Sequence, residues 1–99
     1  MLTLLGFVSG WAEGWLASGR TNLTVAWEDS PSNRDKLSTW ITIQGPVAWG
    51  QLTVWETGEV MLEAMDIGSG DLIISESTRV DSTELVGQLI RRLVAACEG

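Results

Sequence analysis

Ninety-nine residues, 44% of them apolar, bound a single domain, residues 1–99, that can bury its own core. The net charge of −7, from 13 acids and 6 bases, lacks the clustered Lys and Arg that phosphate binding needs, so nucleic acid is not an expected partner. One cysteine and no histidine exclude an internal disulfide, Cys/His zinc sites and histidine-based triads.

The opening MLTLLGFVSGWAEGWLASG is apolar, with Gly6, Gly10 and Gly14 four residues apart. That spacing resembles a membrane packing stripe. Glu13 interrupts it, no base precedes it, and a spanning helix needs about twenty apolar residues. Leu4, Val8, Trp11 and Trp15 fall on one helical stripe with Leu5, Ala12 and Leu16 beside it, which predicts an amphipathic helix and no membrane contact. Each glycine weakens such a helix by about 1 kcal/mol relative to alanine, so it must lean on tertiary packing.

Next, residues 22–28 alternate, with Leu23, Val25 and Trp27 on one side. The polar run EDSPSNRDK is a loop or turn. Residues 37–44 alternate again, placing Leu37, Thr39, Ile41 and Ile43 on one face. GPVA breaks the chain before a hairpin over residues 49–66, and IGSGD is the following turn. Residues 72–80 form a fifth strand whose phase the pattern leaves open. DSTE then opens a helix, with Asp81 or Ser82 as cap and Glu84 in its first turn. Leu85, Val86, Leu89, Ile90, Leu93, Val94 and Cys97 make its apolar stripe, and Arg91 and Arg92 are expected late enough to complement the helix dipole. Cys97 in this tail reads as a buried, inert thiol suited to a reducing cytoplasm. The expected class is α+β: a single five-stranded antiparallel meander sheet flanked by an N-terminal and a C-terminal helix, both on one face.

Arithmetic fixes the hairpin register. A two-residue loop at Thr57-Gly58 would set Glu56 against Glu59 and mix apolar with acidic residues on one face. A three-residue loop, 56–58, pairs Trp55 with Glu59, Val54 with Val60, Thr53 with Met61, Leu52 with Leu62 and Gln51 with Glu63. Leu52, Val54, Val60 and Leu62 then share one apolar face, and Gly58 takes the left-handed position that such a loop needs. With a four-residue GPVA loop, Trp40 lands beside Thr53. The six tryptophans therefore divide: Trp11, Trp15 and Trp27 toward the core, Trp40, Trp49 and Trp55 toward the opposite face. Met61, Met65, Glu59 and Glu63 join the latter group. An apolar patch of this kind marks a partner, unless a helix covers it or two copies pair through it. The candidate partner-binding residues are Trp40, Trp49, Trp55, Glu59, Met61 and Glu63, the aromatics as anchors and the glutamates meeting basic groups.

The Trp-bearing first helix, the strand pair, the run LTVWETGEVMLEAMDIGSGDLI and the closing helix together resemble the TriTu family of immunity proteins. The distinctive part is the pattern L-T-V-W-E-x-G-x-x-x-L-E-x-x-D over residues 52–66. The resemblance implies a small cytoplasmic inhibitor without catalysis or cofactor of its own. Its partner would be a cognate antibacterial toxin domain, an ADP-ribosyltransferase acting on elongation factor Tu. It carries no individual contact residue onto this chain, which departs from the family in its glycine-rich first helix and its tryptophan content. When free, the protein is expected as a monomer or weak dimer.

Two other functions fit the same pattern less closely. A secretion chaperone or assembly adaptor would share size, acidity and class, but would bind an unfolded segment. An enzyme would need Glu56, Glu59 and Glu63 as working carboxylates, and no nucleophile–base pair, phosphate loop or metal cluster accompanies them.

Overall fold

The computed structural model describes residues 3–30 and 36–99. The chain runs α1 (Leu4–Ala17), β1 (Thr24–Asp29), β2 (Ser38–Gln44), β3 (Ala48–Trp55), β4 (Glu59–Asp66), β5 (Leu72–Arg79) and α2 (Thr83–Glu98). The five strands form one open sheet in sequence order, and every neighbouring pair is antiparallel. The middle of the expected polar loop after β1, residues 31–35, lies outside the described residues.

Both helices pack on one face of the sheet. α1 lies over β1, β2 and β3, α2 lies over β2, β3 and β4, and the two helices touch. Alternation sends Ile41 and Ile43 of β2, Leu52 and Val54 of β3, and Val60 and Leu62 of β4 into the layer between. Val8 and Ala12 enter it from α1, and Val86, Ile90, Leu93 and Cys97 from α2. Two glycines let α2 sit close. A Cβ at Gly50 would meet a Leu93 methyl at 2.4 Å, and one at Gly45 would meet the Cys97 carbonyl oxygen at 2.2 Å.

The hairpin has the expected register, with Val54 opposite Val60, Thr53 opposite Met61, Leu52 opposite Leu62 and Gln51 opposite Glu63. Gly58 closes it at φ 101°, where a side chain would be strained. Trp40 stands opposite Thr53, as the four-residue connection requires.

Several expectations shift. Thr3 caps α1, its hydroxyl accepting from Gly6 N–H, and Ser82, of the two candidates, caps α2 by accepting from Leu85 N–H. Trp11, Trp15 and Trp27 pack against the core but stay partly exposed. Trp27 lies inward opposite Ile41, yet β1 is an edge strand, so no neighbouring strand of the sheet flanks it on its outer side. Leu16 and Leu85, placed on the helical stripes, are exposed instead, while Phe7, outside the expected stripe, packs on Gly87 of α2. Arg91 and Arg92 do not serve the last turn of α2, because the helix runs on to Glu98 and leaves them mid-helix. Arg92 pairs with Glu76 of β5 instead.

The fifth strand explains its own ambiguity. β5 pairs only with β4, and neither helix packs over it. Its inward positions are Ile74, Glu76 and Thr78, and its outward ones Ser75, Ser77 and Arg79. A bulge where Ala64 faces Ile74 and Met65 faces Leu72 adds Ile73 as an extra residue. Neither side is fully buried, so neither side had to be apolar.

Candidate functional site: the uncovered sheet face

The sheet face turned away from the helices is built from all five strands. Side chains at alternate positions line up across the strands in rows. One row runs Glu28, Trp40, Thr53, Met61 and Ser77; the next runs Ala26, Thr42, Gln51, Glu63 and Ser75. A third holds Gln44, Trp49, Met65 and Leu72. The structure thus brings all six candidate residues to one face. Trp49 and Met61 are each 40% exposed, Glu63 is exposed, and Trp40, Trp55 and Glu59 are half-buried. None of the chain's described helices covers them.

Glu59 is not waiting for a partner. Its two carboxylate oxygens accept from Lys36 Nζ and an Arg79 guanidinium nitrogen, each at 2.8 Å, and the Thr57 hydroxyl donates to it as well. The Lys36 hydrogen bond, then that from Thr57, holds its pKa down at about 2, against an ordinary 4.5. Lys36 also lies over the Trp55 ring, 5.8 Å from its centroid. Glu63, two residues further along β4, meets no cation at ion-pair distance among the described residues. The face is therefore bipolar. Two cations gather around Glu59 at the Trp55 end, and Glu63 stands unneutralised nearer the middle.

Lys36 and Arg79 were not among the candidates drawn from sequence. Arg79 was hidden by the open phase of β5, and Lys36 precedes β2 and reaches the face only through its long side chain. The signal that could have found Arg79 is charge pairing, since opposite charges are favoured directly across a ladder and Arg79 faces Glu59.

Between Trp40 and Trp55 the face is concave. The recess has a volume of about 440 Å³ and, besides the two rings, is lined by Ser30, Lys36, Ser38, Gln51, Thr53 and Met61. A second hollow of about 310 Å³ lies on the other side of Trp55, toward Ser77 and Thr78. Trp55 is thus a ridge between two depressions.

Glu59 is not poised for proton transfer. A carboxylate held ionised by two cations is the reverse of a general acid or base poised near neutrality. The described residues hold no group of three metal-ligating side chains, and no described helix is long and apolar enough to cross a membrane. Cys97 is buried, its thiol pKa pushed up by desolvation, with its sulfur 3.7 Å from the Ile43 carbonyl oxygen.

Fold and face together define a small α+β protein with one aromatic sheet surface that no described helix covers. The family model described as immunity protein TriTu matches residues 7–96, which takes in all five strands and most of both helices. The chain belongs to the TriTu family of immunity proteins. No curated protein matches it.

Proposed function

We propose that this protein binds the catalytic domain of a cognate antibacterial toxin through its uncovered sheet face and neutralises it by occupancy, without catalysis of its own. The toxin class implied by the family resemblance is an ADP-ribosyltransferase acting on elongation factor Tu, which places the encounter in the bacterial cytoplasm. The observation that carries the reading is the outward set of Trp40, Trp49, Trp55 and Met61 on central strands that the chain's own described helices leave open. Aromatic residues and methionine concentrate at interface cores, where truncating one anchor costs about 2–4 kcal/mol of binding. Glu63, with no cation of its own among the described residues, meets a basic group of the toxin.

The test uses a candidate cognate toxin domain. Trp49→Ala should bind it at least about 30-fold more weakly through faster dissociation, and should fail to protect cells expressing it. Glu63→Lys should mainly slow association, more so at low salt. Both should melt close to the wild type. Variants that fold, bind and protect normally would remove this face from the interface.

A further inference from the structure

We propose that the recess between Trp40 and Trp55 is a socket for one aromatic side chain of the toxin domain, accompanied by a carboxylate that takes Lys36 from Glu59. The inference rests on the face being the toxin interface and adds the chemistry of the group that enters it.

Geometry sets the shape of the occupant. Trp40 and Trp55 stand on adjacent strands, staggered by two residues, with Trp40 opposite Thr53 and Ser38 opposite Trp55. Diagonal neighbours in a sheet lie about 7–8 Å apart. A flat ring needs about 3.5–4 Å to each wall. The gap therefore has the width of one ring. The walls are not already used on each other: among the described residues the stacked aromatic pair is Trp11 with Trp15, on α1.

Charge selects among flat groups. Two tryptophan faces would ordinarily favour a guanidinium or an ammonium. Among the described residues no carboxylate lines the recess, and the Lys36 ammonium is the charged group there. A cationic occupant would meet a like charge there. The other polar groups are neutral. The Gln51 amide reaches Thr53 Oγ1 only at 3.4 Å, a long contact that leaves both able to bond an incoming group. A neutral aromatic ring satisfies the walls and these polar groups, and a carboxylate beside it satisfies Lys36.

Lys36 is free to make that exchange. Its pair with Glu59 is partly exposed, 45% on the lysine side and 32% on the glutamate side, so solvent screening keeps the cost of breaking it modest. Glu59 does not become a lone charge, because Arg79 holds its other oxygen. Glu59 is thus a resting place for Lys36 in the free protein, and the partner's carboxylate is its place in the complex.

Three variants test the socket against the toxin domain, with Trp49→Ala and Glu63→Lys as controls for the face. Thr53→Trp fills the recess and should weaken binding by roughly 30-fold or more, the loss of a hot spot. Lys36→Gln should weaken binding, and Lys36→Glu should weaken it further. Each is checked by thermal melt, and the two lysine variants keep the test open if Thr53→Trp folds poorly. Tighter binding by Lys36→Glu would mean a cationic occupant and would overturn the proposal. Normal binding by Thr53→Trp while Trp49→Ala binds weakly would leave the face intact and refute the socket. If neither control nor socket variant changes binding, the interface is elsewhere and both readings fall.

Discussion

Met61 and Leu62 are consecutive residues that the register sends to opposite sides of one sheet, and their truncation should separate stability from binding. Leu62 is fully buried opposite Leu52, beneath the helix layer. Leu62→Ala removes its packing and leaves a cavity, at a cost of about 2–5 kcal/mol. A domain of this size has a total margin of about 5–15 kcal/mol. Each kcal/mol shifts Tm by about 4–8 °C, so Leu62→Ala should melt at least about 8 °C below the wild type. Met61 is 40% exposed on the uncovered face, between Thr53 and Ser77. Met61→Ala should change stability by only about 0.5 kcal/mol, a shift of ~4 °C or less, yet weaken toxin binding. Paired thermal and urea melts give the first readout and titration of the toxin domain the second. A one-residue slip would exchange the two roles completely, because side chains alternate with period two. Equal destabilisation by the two variants, or a Leu62→Ala protein that melts with the wild type, would refute the register and with it the assignment of the face.

Two further outcomes follow from local geometry. A Cβ at Gly10 or Gly14 of α1 would meet nothing within 4 Å, so Gly10→Ala with Gly14→Ala should stabilise the protein by about 1 kcal/mol per site, read as a higher midpoint in urea with unchanged slope. Glu59 is a carboxylate with a depressed folded-state pKa, so its contribution to stability is complete above about pH 4.5 and is lost as pH falls through about 2. An NMR titration of its side-chain carboxyl should give a midpoint near 2 that moves up in Lys36→Gln; an ordinary midpoint in the wild type would show that the ion pairs do not form in solution.

The hairpin was legible because three independent signals agree there. Apolar alternation, avoidance of Glu56 against Glu59 and the glycine at the loop end all require the same pairing. Once that pairing is fixed, parity alone sends Trp49, Trp55 and Met61 outward, and the short connection after β2 carries Trp40 with them. The apolar part of the site could therefore be read without coordinates. The charges could not. Alternation tells which side a residue leaves from, but not where a long, flexible side chain ends, and Lys36 and Arg79 both converge on Glu59 from outside the hairpin. The same limit hid Arg92, whose partner Glu76 sits on the strand with no apolar phase.

The opening of one face follows from counting widths. Strands lie about 4.8 Å apart, so five of them make a layer ~24 Å wide. A helix with its side chains is about 10–12 Å across, so two side by side cover about four to five strands. The observed arrangement is the lower of these: α1 and α2 reach from β1 to β4, and β5 extends beyond them. Both helices are spent on one face, since the core must be closed there by Val8, Val86, Ile90 and Leu93. No described helix remains for the opposite face. Such a face is ordinarily made polar at alternate positions, because an antiparallel sheet can meet water on one side without penalty. This one carries tryptophan at three of those positions and methionine at two. If the proposed contact is right, truncating these side chains should cost binding far more than stability, which is the opposite of what truncating the helix-covered face should do.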